Sequence, residues 1–314
     1  MEFAVALLGL VILLLAGDAL VRGAVNVSLR LGVPALIVSL TVVAFGTSAP
    51  ELLISIQAVR DNAPGIALGN VVGSNIANVL LVLGIPAILS AMNMADCDTR
   101  RSYLMMLAAS VLFIALAFFG PITWWHGLIL LAGLAVILFD QARAALAHRR
   151  LGPDETEDLE GADPDMPWWK ILMFLALGLV GLPLGADILI DSATSIARDL
   201  GISETVIGLT LVAVGTSLPE LATTVVAALK KQADVAMGNV IGSNMFNLLA
   251  IIGIAGLVGP IEVDPSFFRL DLWVMLGAAL VLAPFVFLRW TMGRLWGLVL
   301  TALYAAYLWA VIVF

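Results

Sequence analysis

Long apolar segments recur along most of this 314-residue chain and are separated by short polar connections. About 20 apolar residues are enough for a helix to cross the hydrocarbon core of a bilayer. Only 12% of the residues are charged, and the weak alternation typical of membrane β-barrels is missing. We therefore predict an all-α polytopic membrane protein with ten transmembrane helices. The spans lie near residues 3–21, 35–59, 65–90, 103–120, 124–146, 168–190, 204–229, 235–259, 272–289 and 294–313.

A polar stretch divides the predicted spans into five and five. It contains the acidic run DETEDLEGADPD at 154–165, and Gly152, Pro153 and Pro164 act as helix breakers. Acidic runs of this kind are usually solvated linkers. The expected parts are a first five-helix repeat at 1–146, an acidic linker at 147–167 and a second five-helix repeat at 168–314.

The two halves repeat each other at a constant offset of 169 residues. AFGTSAPEL at 44–52 and AVGTSLPEL at 213–221 share seven of nine residues. GNVVGSNIAN at 69–78 and GNVIGSNMFN at 238–247 share seven of ten, which indicates internal duplication. Since each half has an odd number of spans, the second half must enter the membrane from the opposite side. Such inverted-topology repeats are typical of transporters that alternate access around a central site.

Loop charges predict the orientation and the location. Eleven Lys and Arg residues fall on the side of the 1–2, 3–4, 5–6, 7–8 and 9–10 connections, and three fall on the other side. Because positive residues concentrate in cytoplasmic loops, we expect a multi-pass protein of a plasma or inner membrane. Both termini would lie outside and the linker would lie in the cytoplasm.

The composition limits the partners of the chain. Membrane lipid surrounds the predicted spans, and no basic patch with interleaved aromatic residues suggests a nucleic acid. The single cysteine, Cys97, excludes an internal disulfide framework and a multi-cysteine metal site. No cofactor is expected, and the sequence does not specify an oligomeric state.

Each half carries a glutamate and an asparagine deep inside consecutive predicted spans. Glu51 and Asn78 are equally far from the turn between their two helices, at about 20 Å for a rise of 1.5 Å per residue. Glu220 and Asn247 repeat this arrangement in the second half. We expect all four side chains to meet near the bilayer midplane.

A proline precedes each glutamate. Pro50 and Pro219 lack the N–H that would bond the carbonyls of Gly46 and Gly215, so each helix should break at this point. Unwound backbone at membrane depth is tolerated where it lines a cavity inside the protein. One proline kink or one buried glutamate can be purely structural, whereas a duplicated set at one depth favours a functional site.

Hydroxyl groups share helix faces with the glutamate and the asparagine. Thr47 and Ser48 lie four and three residues before Glu51, and Ser74 lies four before Asn78. Carboxylates, hydroxyls, amide oxygens and free carbonyls are hard ligands that suit Na⁺ and Ca²⁺ better than Zn²⁺ or copper. Two buried carboxylates without a nearby Lys or Arg need a cation, so we predict an ion-binding site.

The duplicated GTSxPEL and GNVxGSNxxN motifs resemble the two α-repeats of the sodium/calcium exchanger family of the cation/calcium antiporter superfamily, and the chain is similar to its prokaryotic-type calcium/sodium antiporters. The resemblance covers the whole chain, with the α-repeats near 35–90 and 204–259. It implies a secondary active antiporter that exchanges Na⁺ for Ca²⁺ while the first and sixth helices slide against the other eight. The ligands that the resemblance implies are Thr47, Ser48, Glu51, Ser74, Asn78, Thr216, Ser217, Glu220, Ser243 and Asn247, with the carbonyls of Ala44 and Ala213.

Four alternatives are weaker. Some potassium-dependent relatives have Asp where this chain has Asn247, which argues against potassium co-transport. Proton-coupled relatives carry GNxxE, a glutamate that GNVVG and GNVIG lack, so H⁺/Ca²⁺ exchange ranks second. Inverted repeats around an enclosed site argue against a channel, and the GTS serines have no His or Lys partner that would indicate an enzyme. The direction of transport and the ion ratio stay open.

Overall fold

A computed structural model describes residues 2–95, 97–151, 163, 165–201 and 213–313. Secondary structure in these ranges is helical, apart from the isolated bridges Met92–Met292 and Ile122–Ile261. Seven described helices are long and apolar enough to cross a membrane, or eight if one bent pair counts as a single span. The all-α, multi-pass prediction is confirmed, while the division into ten spans stays a prediction. Most of the acidic linker and the first residues of the seventh predicted span lie outside the described residues.

Twelve helices are labelled here in chain order, and a short helix, Pro265–Arg269, lies between the tenth and the eleventh. Those of the first half are α1 (Glu2–Leu31), α2 (Ala35–Thr47), α3 (Ala49–Arg60), α4 (Pro64–Leu89), α5 (Arg100–Ala117) and α6 (Trp124–Leu151). Those of the second half are α7 (Trp168–Asp199), α8 (Ala213–Gly215), α9 (Leu218–Leu229), α10 (Ala233–Val258), α11 (Asp271–Phe287) and α12 (Arg294–Val313).

Helices α1 and α7 extend well past their predicted ends. They have 30 and 32 residues, which at 1.5 Å per residue is about 45 Å or more and exceeds the hydrocarbon thickness. The apolar pattern stops at charged residues, which for α1 are near Arg22. The helix continues through Arg22, which pairs with Asp18 one turn earlier, at 2.7 Å.

Small residues let α1 and α7 pack closely along their lengths. A Cβ atom on Gly9 would lie 2.8 Å from the backbone nitrogen of Leu189, and one on Gly185 would lie 2.8 Å from that of Leu13. Contacts this short leave no room for a larger side chain, which is typical of helix pairs in membranes. The two longest helices therefore form one closely packed pair.

Helices α4 and α10 lie at the centre of the fold. Within their most apolar windows, 83% and 89% of the residues are buried, against 39% or less for α1, α6, α7 and α12. These two central helices carry the GNVxGSNxxN motifs, so residues of the predicted site lie where the surrounding helices exclude lipid.

Candidate ion-binding site

The helices break close to the two prolines, as the sequence predicts. Helices α2 and α3 meet at an angle of 43°, and Ser48 between them has φ −85° and ψ 3°. Ser217 occupies the same place before α9, with φ −90° and ψ 4°. The break thus falls two residues before each proline and not at the residue that directly precedes it. A proline in the first turn of a new helix is tolerated because no N–H is needed there.

Both glutamates lie in the first turn of a helix that follows a break. Glu51 and Glu220 are completely buried, at 0% exposure. The positive end of the helix dipole favours an anion at this position. Glu220 accepts a hydrogen bond from the Ser48 hydroxyl at 3.3 Å, and Glu51 lies within electrostatic reach of Glu220. No ion pair among the described residues involves either carboxylate.

Hydroxyl groups from the two halves meet in matching pairs. Thr47 Oγ1 lies 3.5 Å from Ser243 Oγ, and Ser74 Oγ lies 3.4 Å from Thr216 Oγ1. The second pair is the first with the halves exchanged, since each residue shifts by 169 positions. The sequence repeat therefore corresponds to a spatial repeat in which each half completes the other.

Asparagine side chains join the central helices beside these hydroxyls. Asn78 Nδ2 donates to Asn244 Oδ1 at 3.1 Å, and Asn75 and Asn244 donate to each other's backbone carbonyls. Sequence reasoning missed Asn75 and Asn244. Their signal was their identity at the same place in both motifs, directly after the Gly-Ser pair that both repeats share.

Helix α10 widens at the site. Its segment Asn247–Ile251 is π-helical and begins with a predicted ligand. Helix α4 has the same type of turn at the equivalent position of the first repeat. There the Val82 N–H donates to the carbonyl of Ala77, five residues back, at 2.9 Å. Such π-type turns often occur at functional sites, where they alter the direction of a side chain.

Several buried oxygen atoms at this place have no hydrogen-bond partner. They are both carboxylate oxygens of Glu51, Oε2 of Glu220, Oδ1 of Asn78, Oδ1 of Asn247 and Oγ of Ser217. An unsatisfied buried polar group costs roughly 1–3 kcal/mol, and more if it is charged. A dehydrated cation among these atoms would satisfy them together, and the carboxylates would supply the balancing charge.

Comparison with known proteins identifies the family. The sodium/calcium exchanger protein family matches residues 1–141 and 170–313. The chain belongs to this family. It is thus a membrane antiporter of the exchanger type, and the family is one of transporters and not of enzymes.

Relatives of the exchanger are similar over nearly its whole length. The sodium/calcium exchanger MaX1 of Methanosarcina acetivorans is 36% identical and covers 98% of this chain and 97% of its own. The inner membrane protein YrbG of Escherichia coli K12 is 34% identical over 89% of this chain and 87% of its own. The solved sodium–calcium exchanger NCX_Mj, soaked with Na⁺ and Sr²⁺, superposes with a TM-score of 0.82 at 31% identity, covering 100% of this chain and 98% of its own.

The predicted ligand set also includes two backbone carbonyls, those of Ala44 and Ala213. The carbonyl of Ala44 already accepts from the Ser48 N–H at 3.0 Å and from the Thr47 hydroxyl at 3.3 Å. Ala213 is the first residue of α8, and it follows the part of the chain that lies outside the described residues. Among the ten side chains of the set, contacts link Thr47 with Ser243, Ser48 with Glu220 and Ser74 with Thr216. Asn78, Ser217 and Asn247 are buried without a side-chain hydrogen bond to another member among the described residues.

Proposed function

We propose that the protein is a secondary active antiporter that exchanges Na⁺ for Ca²⁺ across a plasma or inner membrane. The observation that carries the proposal is the group of unpartnered buried oxygens on Glu51, Glu220, Asn78, Asn247 and Ser217. Oxygen atoms without donors, buried beside two carboxylates, match the needs of hard cations. Ca²⁺ and Na⁺ are the substrates, and the protein needs no cofactor for this exchange.

Competition for one set of ligands would couple the two ions. Two carboxylates neutralise either one Ca²⁺ or two Na⁺, so one kind of ion must leave before the other binds. An ion-free pair of carboxylates inside a bilayer is costly, which favours movement of the filled site. The proposed ligands are the side chains of Thr47, Ser48, Glu51, Ser74, Asn78, Thr216, Ser217, Glu220, Ser243 and Asn247, with the carbonyls of Ala44 and Ala213.

Alternating access would follow from ten spans arranged as inverted repeats, with both termini outside and the linker in the cytoplasm. The paired contacts between the halves support this arrangement. The close packing of α1 on α7 supports their movement as one unit against the remaining helices.

Ca²⁺ uptake into proteoliposomes tests the proposal. Vesicles loaded with Na⁺ are diluted into Na⁺-free buffer with radioactive Ca²⁺, and a parallel sample receives only a proton gradient. We expect uptake that requires internal Na⁺. The Glu220→Gln variant should lose it, while Glu262→Gln, at an exposed site, should retain it. Uptake driven by protons alone would replace Na⁺ with H⁺ as the coupling ion, and no uptake in either arm would overturn the proposal.

A further inference from the structure

A second pair of asparagines ties the central helices to the helices that carry the glutamates. Asn70 Nδ2 donates to the backbone carbonyl of Glu51 and to the Ser55 hydroxyl, both at 3.2 Å. Asn239 Nδ2 donates in the same way to the carbonyl of Glu220 at 3.3 Å and to the Thr224 hydroxyl at 3.1 Å. Each asparagine thus donates a hydrogen bond to the backbone carbonyl of a proposed ligand residue and leaves its carboxylate available to a cation.

These hydrogen bonds fix the axial position of α4 relative to α3 and of α10 relative to α9. Asn70, Ser74 and Asn78 follow at intervals of four residues on one face of α4, and Glu51 and Ser55 do so on α3. A slip of α4 by one residue would move its oxygens by about 1.5 Å. Ca²⁺ ligands lie within a narrow range of roughly 2.3–2.6 Å, so such a slip would destroy the site.

Among the described residues, Asn239 has one further contact that Asn70 lacks. Its Oδ1 accepts from the Thr47 hydroxyl at 3.4 Å, across the two halves. The same hydroxyl also lies 3.3 Å from the carbonyl of Ala44, so its single proton is shared between two acceptors that together position this proposed ligand. Asn239 is completely buried, while Asn70 is half-buried.

We propose that Asn70 and Asn239 are positioning residues that set the affinity of the site for Ca²⁺ relative to other divalent cations, with Asn239 the more important. The inference rests on the proposed function, because it takes the glutamates as ion ligands. Loss of residues that orient metal ligands typically lowers affinity by about 10- to 100-fold.

Equilibrium binding of ⁴⁵Ca²⁺ to the purified full-length protein, with Sr²⁺ as competitor, tests this role. We expect Asn239→Ala to weaken Ca²⁺ binding at least tenfold and to change the Sr²⁺/Ca²⁺ ratio, and Asn70→Ala to act in the same direction but less. Thr224→Val, which removes the acceptor, should resemble Asn239→Ala, and Thr224→Ser should restore binding relative to Thr224→Val.

The outcomes separate this inference from the proposed function. Wild-type protein that binds no Ca²⁺ would refute the exchanger site itself. Wild-type binding with an unchanged affinity and ion ratio in Asn239→Ala would refute only the positioning role. A purely structural role would lower the yield of folded protein and the maximal transport rate, but it would leave the Sr²⁺/Ca²⁺ ratio unchanged.

An independent observation concerns an ion cluster away from the site. Asp18 on α1 pairs with Arg22 and also with Lys230, which directly follows α9 and is only 11% exposed. Helix α1 packs on α9 beside this cluster, where a Cβ on Gly17 would lie 3.2 Å from the backbone of Ala222. The cluster thus ties the α1–α7 pair to a helix that carries a glutamate.

The repeat counterpart of this cluster is entirely acidic. At an offset of 169 residues, Asp18, Arg22 and Lys230 correspond to Asp187, Asp191 and Asp61. The counterpart helices also differ in packing, since α7 makes at most a marginal contact with α3. The structure is therefore closed between α1 and α9, and it is open between the equivalent pair.

We infer that the ion pair of Asp18 with Lys230 is a latch that favours this conformation of the antiporter. In the alternating-access cycle proposed above, the opposite state packs α7 on α3 and brings Asp187 and Asp191 toward Asp61. Like charges at that contact disfavour the second state, and no equivalent latch forms there.

Distances between spin labels at positions 60 and 200, in a Cys97→Ala background, measure which state is populated. We expect Lys230→Met to increase the short-distance population that a closed α7–α3 contact produces. Lys230→Arg, which keeps the positive charge, should retain the wild-type distribution, and Asp61→Lys should favour the short distance further. Retained Ca²⁺ binding shows that each variant is folded. An unchanged distribution in Lys230→Met, or a Lys230→Arg distribution that matches that of Lys230→Met, would overturn the latch and leave the ion site unaffected.

Discussion

Asn75 and Asn244 exchange hydrogen bonds at the centre of the molecule, where each side-chain amide donates to the other's backbone carbonyl at 3.4 and 3.3 Å. The pair joins the two central helices directly. Asn244 Oδ1 also accepts from the amide of Asn78, so this side chain connects the helix pair with a proposed ligand. Two identical residues of the repeat thus have unequal roles.

This inequality predicts a difference in stability. Asn244→Ala should destabilise the protein more than Asn75→Ala, because it removes the exchanged bond and also leaves the Asn78 amide unpaired. Each lost bond with an orphaned partner costs roughly 1–3 kcal/mol. Thermal unfolding in detergent measures both variants. The double variant should show a non-additive effect, and equal, additive losses would contradict the prediction.

Replacing Glu51 by glutamine should separate stability from binding. Both carboxylate oxygens of Glu51 are buried without a hydrogen-bond partner, so a neutral side chain should raise the unfolding temperature of the ion-free protein. The same change should remove the stabilisation by Ca²⁺, which for a functional site is about 2.7 kcal/mol at 100 times the dissociation constant. Thermal unfolding with and without Ca²⁺ tests both effects. Glu262→Gln is the control, and a Ca²⁺-dependent shift retained in Glu51→Gln would argue against ligation by this residue.

A larger residue between α1 and α7 should slow transport and leave binding intact. Gly9→Val would press against the backbone of α7 at Leu189, while among the described residues α1 makes at most marginal contact with the central helices α4 and α10. We expect at least a tenfold lower exchange rate with a Ca²⁺ affinity within about twofold of wild type. Gly277→Val is a matched control, because a Cβ at Gly277 meets no atom within 4 Å. Equal losses in both variants would show that the close packing has no special role.

Exchanging Asn247 for aspartate tests the charge of the site. Neither atom of the Asn247 amide has a hydrogen-bond partner, so the nearly isosteric aspartate fits without repacking. A third carboxylate should strengthen Ca²⁺ binding and destabilise the ion-free protein, since like charges would then be closer together. Titration calorimetry and thermal unfolding measure the two effects. Weaker Ca²⁺ binding together with a more stable ion-free protein would exclude Asn247 from the ligand set.

The sequence predicted the chemistry of the site better than its connections. Motif identity and proline placement located Glu51, Glu220 and the two helix breaks, because these are local features that recur. The asparagine bonds were not predictable, since the partners of Asn75 and Asn78 lie 169 and 166 residues away. The ends of α1 and α7 were missed for another reason. For α1, an apolar pattern cannot register that Asp18 and Arg22 compensate each other within one helix. For α7, the pattern is interrupted by Asp187 and Asp191, while the helix continues to Asp199.

The hydroxyl pair of Thr47 and Ser243 joins residues that are 196 positions apart, and this distance has a consequence for biosynthesis. A ribosome adds about 5–20 residues per second, so Glu51 waits on the order of 10 to 40 s in the membrane before its partners from the second half emerge. During that time the first half holds an incomplete site, in which Glu51 has only the proposed ligands of its own repeat around it. Insertion factors or retained water must stabilise this intermediate. Ion binding at the complete site becomes possible only in the last step of assembly.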